Sequence, residues 1–263
     1  MNPPPLPRWI WLPACLALAF VALPIAGLAS RIPLDRLPGL LTRPDSVAAL
    51  GLSLRTCAVS TALAVGLGLP LALVMARARG AWTHVARTLA VLPMVLPPVV
   101  AGLALLSTLG RRGLLGATLD VAGIQIGFTT AAVVLAQAFV SMPFFVVAVE
   151  GALRSLDPEV EHAAVGLGAN PAHVLRRVTV PLVGPSLIAG ATMAFARALG
   201  EFGATLTFAG SLRGVTRTLP LEIYLQREVD ADVAVSLSVA LIAIAAVLVV
   251  LPSWWLRRRG ASA

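Results

Sequence analysis

The sequence contains no lysine, so all 20 of its basic Lys and Arg residues are arginine. A phosphate-binding loop with the pattern GxxxxGK[ST] needs its lysine to reach the β- and γ-phosphates of a nucleotide. The absence of lysine therefore argues against nucleotide hydrolysis of this type by the chain itself.

Cysteine and histidine are scarce as well. Cys15 and Cys57 lie in different apolar segments without CxxC spacing, and each is expected to act as a small hydrophobic residue. The histidines are His84, His162 and His173, and they form neither an HExxH pattern nor a Ser-His-Asp arrangement. The sequence therefore predicts no catalytic residue, no metal site and no cofactor held by this chain.

Charged residues are scarce too. They make up 12% of the sequence, whereas 58% of the residues are hydrophobic and the mean hydropathy is +0.91. Soluble domains average roughly 25% charged and 45–50% apolar residues. A lipid bilayer accepts apolar helices of about 20 residues whose backbone hydrogen bonds are all internal. The composition predicts an all-α integral membrane protein. The arginines, at the ends of apolar segments, fit membrane topology better than nucleic-acid binding.

Six segments are long enough to cross roughly 30 Å of hydrocarbon. The first is alternatively a signal peptide, but its apolar part exceeds the 7–15 residues of a signal core, and Trp9 and Trp11 are typical of interfacial anchors. No connection between the segments is long enough for a separate domain. The predicted spans are 9–30, 56–76, 88–110, 129–149, 185–210 and 233–256.

The arginines divide almost equally between the two sides of the membrane when the N-terminus is placed inside. The cluster at 257–259 directly follows the last span and favours a cytoplasmic C-terminus. We therefore expect residues 1–8 and the tail 257–263 to be cytoplasmic.

Residues 157–181, between the fourth and fifth spans, form a sizeable amphipathic segment. Asp157 followed by Pro158 is typical of a helix start, and Gly168 is placed for a left-handed C-cap. Asn170 is again typical of a helix start and predicts a second helix, which Pro181 is expected to end. By pattern alone, the two helices either merely connect two spans or form a docking surface. The second alternative follows from their small residues, which let the backbone of another protein approach closely. The apolar stripe consists of Val160, Ala163, Ala164 and Leu167.

The spacing of Ala163, Ala164, Gly168 and Pro181 resembles the EAA loop of ABC importer permeases, whose pattern is Glu-Ala-Ala-x3-Gly-x9-Ile-x-Leu-Pro. The resemblance implies a cytoplasmic coupling helix that inserts into a cleft of a separate ATPase subunit. The whole segment 157–181 then forms the docking loop.

The chain departs from that pattern at the first position. His162 stands where the family has glutamate, with Glu161 beside it, and Val178 and Val180 replace isoleucine and leucine. The valines are conservative in shape, whereas the histidine removes any ion pair that the family makes from that position. The predicted docking residues include Asp157, Glu161 and His162 together with the alanines, Gly168 and Pro181.

Charged residues and prolines interrupt two of the spans. Arg197 and Glu201 share a helix face, and a charge at membrane depth costs at least about 2.5–3.5 kcal/mol, so the pair must face protein or water. The pair either fixes helix packing or lies in the permeation path or its gate. Pro97 and Pro98 produce either a plain kink or a bend that lines a pathway.

The sequence around these residues resembles molybdate permeases, and sulfate permeases share a similar core. The resemblance covers about residues 53–250, within a permease domain assigned to 53–256, and leaves 9–30 as an extra N-terminal helix. The matching segments are 92–93, 96–100, 110–113, 197–205, 208–210 and 216–220.

The resemblance implies a subunit of a molybdate importer in a prokaryotic plasma membrane. The expected complex contains two copies of this chain, two ATPase subunits that hold ATP and magnesium, and an extracytoplasmic oxyanion-binding protein. A sulfate importer remains an alternative. An ion-coupled secondary transporter is another, although such proteins normally carry internal repeats and more ionisable residues at mid-membrane.

Overall fold

The computed structural model describes residues 7–78 and 80–260, with side chains described except at Leu251 and 253–260. Most of the predicted N-terminal segment 1–8 lies outside the described residues, as do Arg79 and the side chains of the tail 257–263. A 3-10 turn, Arg8–Ile10, precedes the first helix. The helices are α1 (Trp11–Ala29), α2 (Leu37–Leu41), α3 (Pro44–Arg77), α4 (Ala81–Val95), α5 (Pro98–Leu109), α6 (Gly116–Val121), α7 (Thr130–Ser155), α8 (Pro158–Gly166), α9 (Pro171–Val174), α10 (Val180–Leu182), α11 (Gly184–Leu199), α12 (Gly203–Ala209), α13 (Leu219–Val229) and α14 (Ala231–Gly260).

The all-α expectation is confirmed, and the described residues contain no strand. Four helices are long and apolar enough to cross a membrane by themselves: α1 with its preceding turn, α3, α7 and α14. Two bent pairs pass the same test, α4 with α5 at 118° and the segment Pro171–Leu182 with α11 at 68°. By length and composition, the described residues therefore contain four candidate spans, or up to six if each bent pair crosses as one.

The prolines of the predicted span 88–110 divide it into two helices. Leu96 and Pro97 have extended backbone, with ψ near 133° and 135°, because a residue that precedes proline is pushed out of the helical region. The chain consequently turns by 118° between α4 and α5. The predicted span 56–76 differs in length, since α3 already starts at Pro44, whose ring suits the first helical turn.

A close contact of three helices forms the centre of the bundle. The Phe145 side chain of α7 is fully buried between Gly68 of α3 and Gly190 of α11. A Cβ atom at Gly68 would lie 2.8 Å from the Phe145 ring, and one at Gly190 would lie 3.2 Å from it. Small residues at these positions let the helix backbones approach closely, as in other membrane bundles.

Ion pairs occupy both ends of the bundle. At one end Arg43 pairs with Asp230 at 2.9 Å and Arg213 pairs with Asp45, which joins the starts of α3 and α14 to the loop before α13. At the other end lie the C-termini of α3 and α7 and the short helices α8 to α10.

α1 lies at the edge of this bundle, where it contacts α14, and none of its residues is buried. Cys15 lies on α1 and is exposed, whereas Cys57 of α3 is buried. The three histidines lie on helices and are exposed.

Candidate functional site

The segment 157–181 folds as two short helical arms, which we call the hairpin. Asp157 Oδ1 accepts a hydrogen bond from the backbone N–H of Glu159 at 3.0 Å, and Asn170 Oδ1 accepts one from that of His173 at 2.8 Å. Gly168 has φ +86°, a left-handed conformation that glycine adopts without steric cost. The predicted caps of the hairpin are therefore confirmed.

Pro181 does not end the second arm, which corrects that expectation. The chain continues from α9 through a π-helical turn, Leu175–Thr179, into α10, and the arm ends only at Leu182. Proline in a regular α-helix clashes with the carbonyl four residues earlier, and the wider π turn directly before Pro181 relieves that clash.

The apolar stripe of the hairpin faces away from the rest of the described chain. Leu167 is 90% exposed and Val160 is 43% exposed. Ala163 is exposed and Ala164 is half-buried. A notch of about 470 Å³ opens between the two arms, lined by Ala164, Leu167, Gly168, Ala169, Asn170, His173 and Val178.

Glu161, and not His162, faces the bundle. Its Oε1 lies 2.5 Å from Arg77 Nη2 at the end of α3 and accepts a hydrogen bond from the Thr179 hydroxyl at 2.5 Å. His162 is exposed on the other side of α8. No sequence pattern indicated that Arg77 or Thr179 contacts Glu161, because both lie far from Glu161 along the chain.

A second cluster surrounds Glu150 near the end of α7. Its side chain is only 1% exposed, and its Oε1 accepts a hydrogen bond from Arg154 at 2.9 Å. Arg87 of α4 lies 3.5 Å from the other carboxylate oxygen. Arg154 also donates to the backbone carbonyl of Met75 on α3 at 3.2 Å. The spacing of Glu150 and Arg154 along one helix was readable from the sequence, but the contribution of α4 was not.

Arg197 and Glu201 form the predicted ion pair, with 2.8 Å between Nη2 and Oε2. Glu201 is 1% exposed, and its Oε1 accepts a hydrogen bond from the backbone N–H of Ala204 at 2.8 Å. The helix is interrupted between these contacts, at Gly200 and Phe202. Glu201 therefore neutralises Arg197 and caps α12, and the second contact was not foreseen.

The start of α5 packs against α12. A Cβ atom at Gly203 would lie 2.7 Å from the Pro98 ring, and one at Gly102 would lie 2.8 Å from the carbonyl oxygen of Ala204. Pro97 and Pro98 remain exposed on the other side. The structure thus brings the predicted pathway residues of two spans to one place, which we call the helix break. It comprises residues 97–98 and 200–204.

The predicted docking residues and the predicted pathway residues are separate groups. The hairpin lies at one end of the bundle and the helix break lies on the α5 and α12 side. The described residues contain no group of three or more His, Cys, Asp or Glu side chains placed to hold a metal ion.

A cavity of about 620 Å³ belongs to neither group. It lies in the connection between α5 and α7, where Arg111 donates a hydrogen bond to Gln125 Oε1 at 3.0 Å. Phe128, at its edge, has a left-handed backbone with φ +62°, an uncommon conformation for a bulky residue.

Residues 68–258 match the family described as binding-protein-dependent transport system inner membrane component. The molybdenum transport system permease proteins of Mycobacterium bovis and Mycobacterium tuberculosis are each 55% identical to this chain over 250 residues, which cover 95% of both chains. The protein of the same name from Escherichia coli K12 is 43% identical over 169 residues, covering 64% of this chain and 74% of its own length.

Solved structures share the fold at low sequence identity. A bacterial ABC transporter that imports the acidic polysaccharide alginate matches with a TM-score of 0.74 at 17% identity, covering 95% of this chain and 94% of that chain. The MetNI methionine ABC transporter matches with a TM-score of 0.64 at 18% identity, covering 81% and 94%. The protein is therefore a multi-pass membrane protein, and it belongs to the family of binding-protein-dependent transport system inner membrane components.

Proposed function

We propose that this chain is the membrane-spanning permease subunit of an ATP-driven importer of molybdate. The observation that carries the proposal is the 55% identity, across 95% of both chains, to proteins described as molybdenum transport system permeases. The chain supplies the pathway and no catalytic group, and ATP and magnesium are bound by a partner subunit.

The working complex contains two copies of the chain, two copies of an ATPase subunit and one extracytoplasmic oxyanion-binding protein. Support for the last partner comes from a structural relative, an alginate ABC transporter solved in complex with a periplasmic protein that holds an alginate pentasaccharide. The chain is embedded in a prokaryotic inner membrane with both termini in the cytoplasm.

The hairpin is the docking site for the ATPase. Its exposed Val160 and Leu167, its small Ala163 and the notch beside Gly168 offer an apolar surface that water solvates poorly and a partner's cleft would cover. Small residues let the partner's backbone come close. Asp157 and Asn170 cap the two arms and so hold this surface in shape.

The helix break is the gate of the pathway. An interrupted helix inside a membrane protein exposes backbone groups, which is tolerated where they face protein or line a water-filled cavity. Arg197, whose side chain is 27% exposed beside the break, offers a guanidinium to a passing oxyanion. Glu201 neutralises most of that charge, which fits a pathway that must release its anion as well as admit it.

Reconstitution tests this function directly. The chain is purified with the ATPase and binding protein that co-purify with it and placed in lipid vesicles, and uptake of molybdate, tungstate and sulfate is compared with and without ATP. We expect ATP-dependent uptake of molybdate only when all three components are present. Sulfate uptake in preference to molybdate would reassign the substrate, and uptake by the chain alone would point to a secondary transporter.

A further inference from the structure

The last turn of α3 is contacted by both charged clusters. The Arg77 side chain reaches the hairpin, and the Met75 carbonyl accepts a hydrogen bond from Arg154 of α7. Neither Arg77 nor Met75 belongs to the exposed apolar surface of the hairpin or to the helix break. α3 therefore connects the hairpin to the spans through side-chain contacts, in addition to the covalent links to α7 and α11.

The first cluster ties both arms of the hairpin to one guanidinium. Arg77 Nη2 donates to Glu161 Oε1 on α8 at 2.5 Å and to the Thr179 hydroxyl in the π turn at 3.3 Å. Thr179 itself donates to Glu161. Thr179 is fully buried and the Glu161 side chain is 23% exposed, so water competes little for the hydrogen bond between these two residues.

The second cluster continues the connection to two further helices. Arg154 links the Met75 carbonyl of α3 to the Glu150 carboxylate of α7. Glu150 in turn pairs with Arg87 of α4. A carboxylate that is 99% buried must be compensated by such partners, so Glu150 holds the middle of α4 against the C-terminal part of α7.

α4 leads directly to the helix break. Only Leu96 and Pro97 separate its end at Val95 from the start of α5, where the Pro98 ring touches Gly203. A displacement of the hairpin that moves α3 and α4 therefore also moves the start of α5 relative to α12.

Stability alone gives little reason for the Arg77 contact. Ion pairs between partly exposed side chains contribute little to stability, and the Arg77 side chain is 48% exposed. Arg176 and Arg177, on the same π turn, are exposed and form no ion pair within the described part of the chain. Arg77 thus differs from neighbouring arginines by joining two elements.

We infer that Arg77 is a positioning residue that makes the hairpin and the end of α3 move as one body, and that Glu150 extends this body to α7 and α4. This inference rests on the proposed function, because the displacement originates in the ATPase seated on the hairpin. A chain of contacts does not by itself demonstrate energetic coupling, so the test must measure coupling.

The first measurement reports rigidity and does not depend on the transported ion. Spin labels are attached at Val165→Cys on the hairpin and Val85→Cys on α4, both exposed positions, after Cys15 and Cys57 are replaced by serine. When labelled chains are diluted with unlabelled ones in the assembled complex, we expect one narrow intrachain distance distribution, unchanged by ATP. The additional substitution Arg77→Gln should broaden it. A wild-type distance that changes with ATP, or an unchanged distance in Arg77→Gln, would overturn the inference.

The second measurement reports coupling as the molybdate imported per ATP hydrolysed. We expect Arg77→Gln to assemble with the ATPase and to hydrolyse ATP, but to import about tenfold less molybdate per ATP, within the range usual for coupling between sites. Arg176→Gln is the matched control and should leave this ratio unchanged. Loss of the ATPase subunit from Arg77→Gln would show that Arg77 only shapes the docking surface, and would overturn the inference.

Thr179 offers a second pair of variants with little risk to folding. Thr179→Val keeps the shape of the side chain but removes the hydroxyl, and should lower the same ratio in the same direction. Thr179→Ser keeps the hydroxyl and should therefore keep the wild-type ratio of molybdate imported to ATP hydrolysed. Equal ratios in both variants would contradict the role of this contact. A wild-type complex without ATP-driven uptake would refute the proposed function, whereas the distance measurement would still decide the inference.

Discussion

The hairpin and the helix break are held together by opposite means. In the hairpin, long side chains make the connections, and a Cβ atom at Gly168 would meet nothing within 4 Å. At the helix break the backbones themselves are in contact, so that a Cβ atom at Gly102 would come within 2.8 Å of a backbone oxygen.

This difference separates two kinds of sensitivity. A substitution on the exposed surface of the hairpin leaves the packing of the bundle intact and acts on whatever binds there. A substitution at the helix break forces backbones apart and so changes stability together with any function of the gate. Substitutions in the two regions should therefore differ in their effects on stability and on uptake.

Glu201→Ala should have the largest effect on stability, because it leaves the Arg197 guanidinium unpaired and α12 without its cap. Breaking a buried ion pair costs about 3–5 kcal/mol, and the partial exposure of Arg197 favours the lower end. Unfolding of the purified protein in detergent measures the loss. Glu201→Gln should lose less, since its amide oxygen still accepts the hydrogen bond from Ala204.

The double variant Arg197→Leu with Glu201→Leu sharpens this result. Replacing both members of a buried pair by apolar residues is often neutral, so more than half of the stability should return. If molybdate uptake returns as well, the pair serves only helix packing. Restored stability without uptake would support its place in the gate.

Gly102→Ala should destabilise the protein by about 1–3 kcal/mol, because the added methyl group meets the Thr207 side chain and the Ala204 backbone. Gly66→Ala on α3 is the control, since nothing lies within 4 Å of the added atom. The control should be neutral or slightly stabilising, because alanine favours helix over glycine. Equal thermal unfolding temperatures for the two variants would contradict the close approach of α5 and α12.

Gly168→Trp should have a smaller effect on stability, about 1–2 kcal/mol for a non-glycine residue in a left-handed conformation. Its effect on uptake should nevertheless be large, since the indole would fill the notch between the arms. Gly168→Asn tolerates the same backbone and serves as the control. Unchanged molybdate uptake by Gly168→Trp would remove the docking role of the hairpin.

The smallest predicted effect concerns pH and the opposite end of the bundle. The hydrogen bond from Arg43 lowers the pKa of Asp230, which lies just before α14. Because the folded pKa is depressed, the stabilisation is present above the ordinary value of about 4 and is lost as pH falls through the lowered folded value. Asp230→Asn should abolish this part of the acid sensitivity in unfolding midpoints measured from pH 5 to 2. If the variant and the wild type have identical pH profiles, the Asp230 carboxylate does not contribute to the acid sensitivity.

Local signals of the hairpin could be predicted from the sequence because they act over a few residues. Asp157, Gly168 and Asn170 impose their conformations through their own backbone or a hydrogen bond within three residues. The expected stop at Pro181 was wrong, because a π turn accommodates proline in a way that no local pattern shows. The docking and gating roles stay predictions.

The sequence by itself determined that the chain is helical and membrane-embedded, since apolar composition and the need for internal backbone hydrogen bonds leave few other solutions in lipid. It also determined where the hairpin begins and turns. Only the tertiary structure decided that Glu161 binds Arg77, that Glu150 joins α4 to α7, and that Gly203 meets Pro98. Contacts between residues far apart in the chain depend on how helices pack, and no short stretch of sequence contains that information.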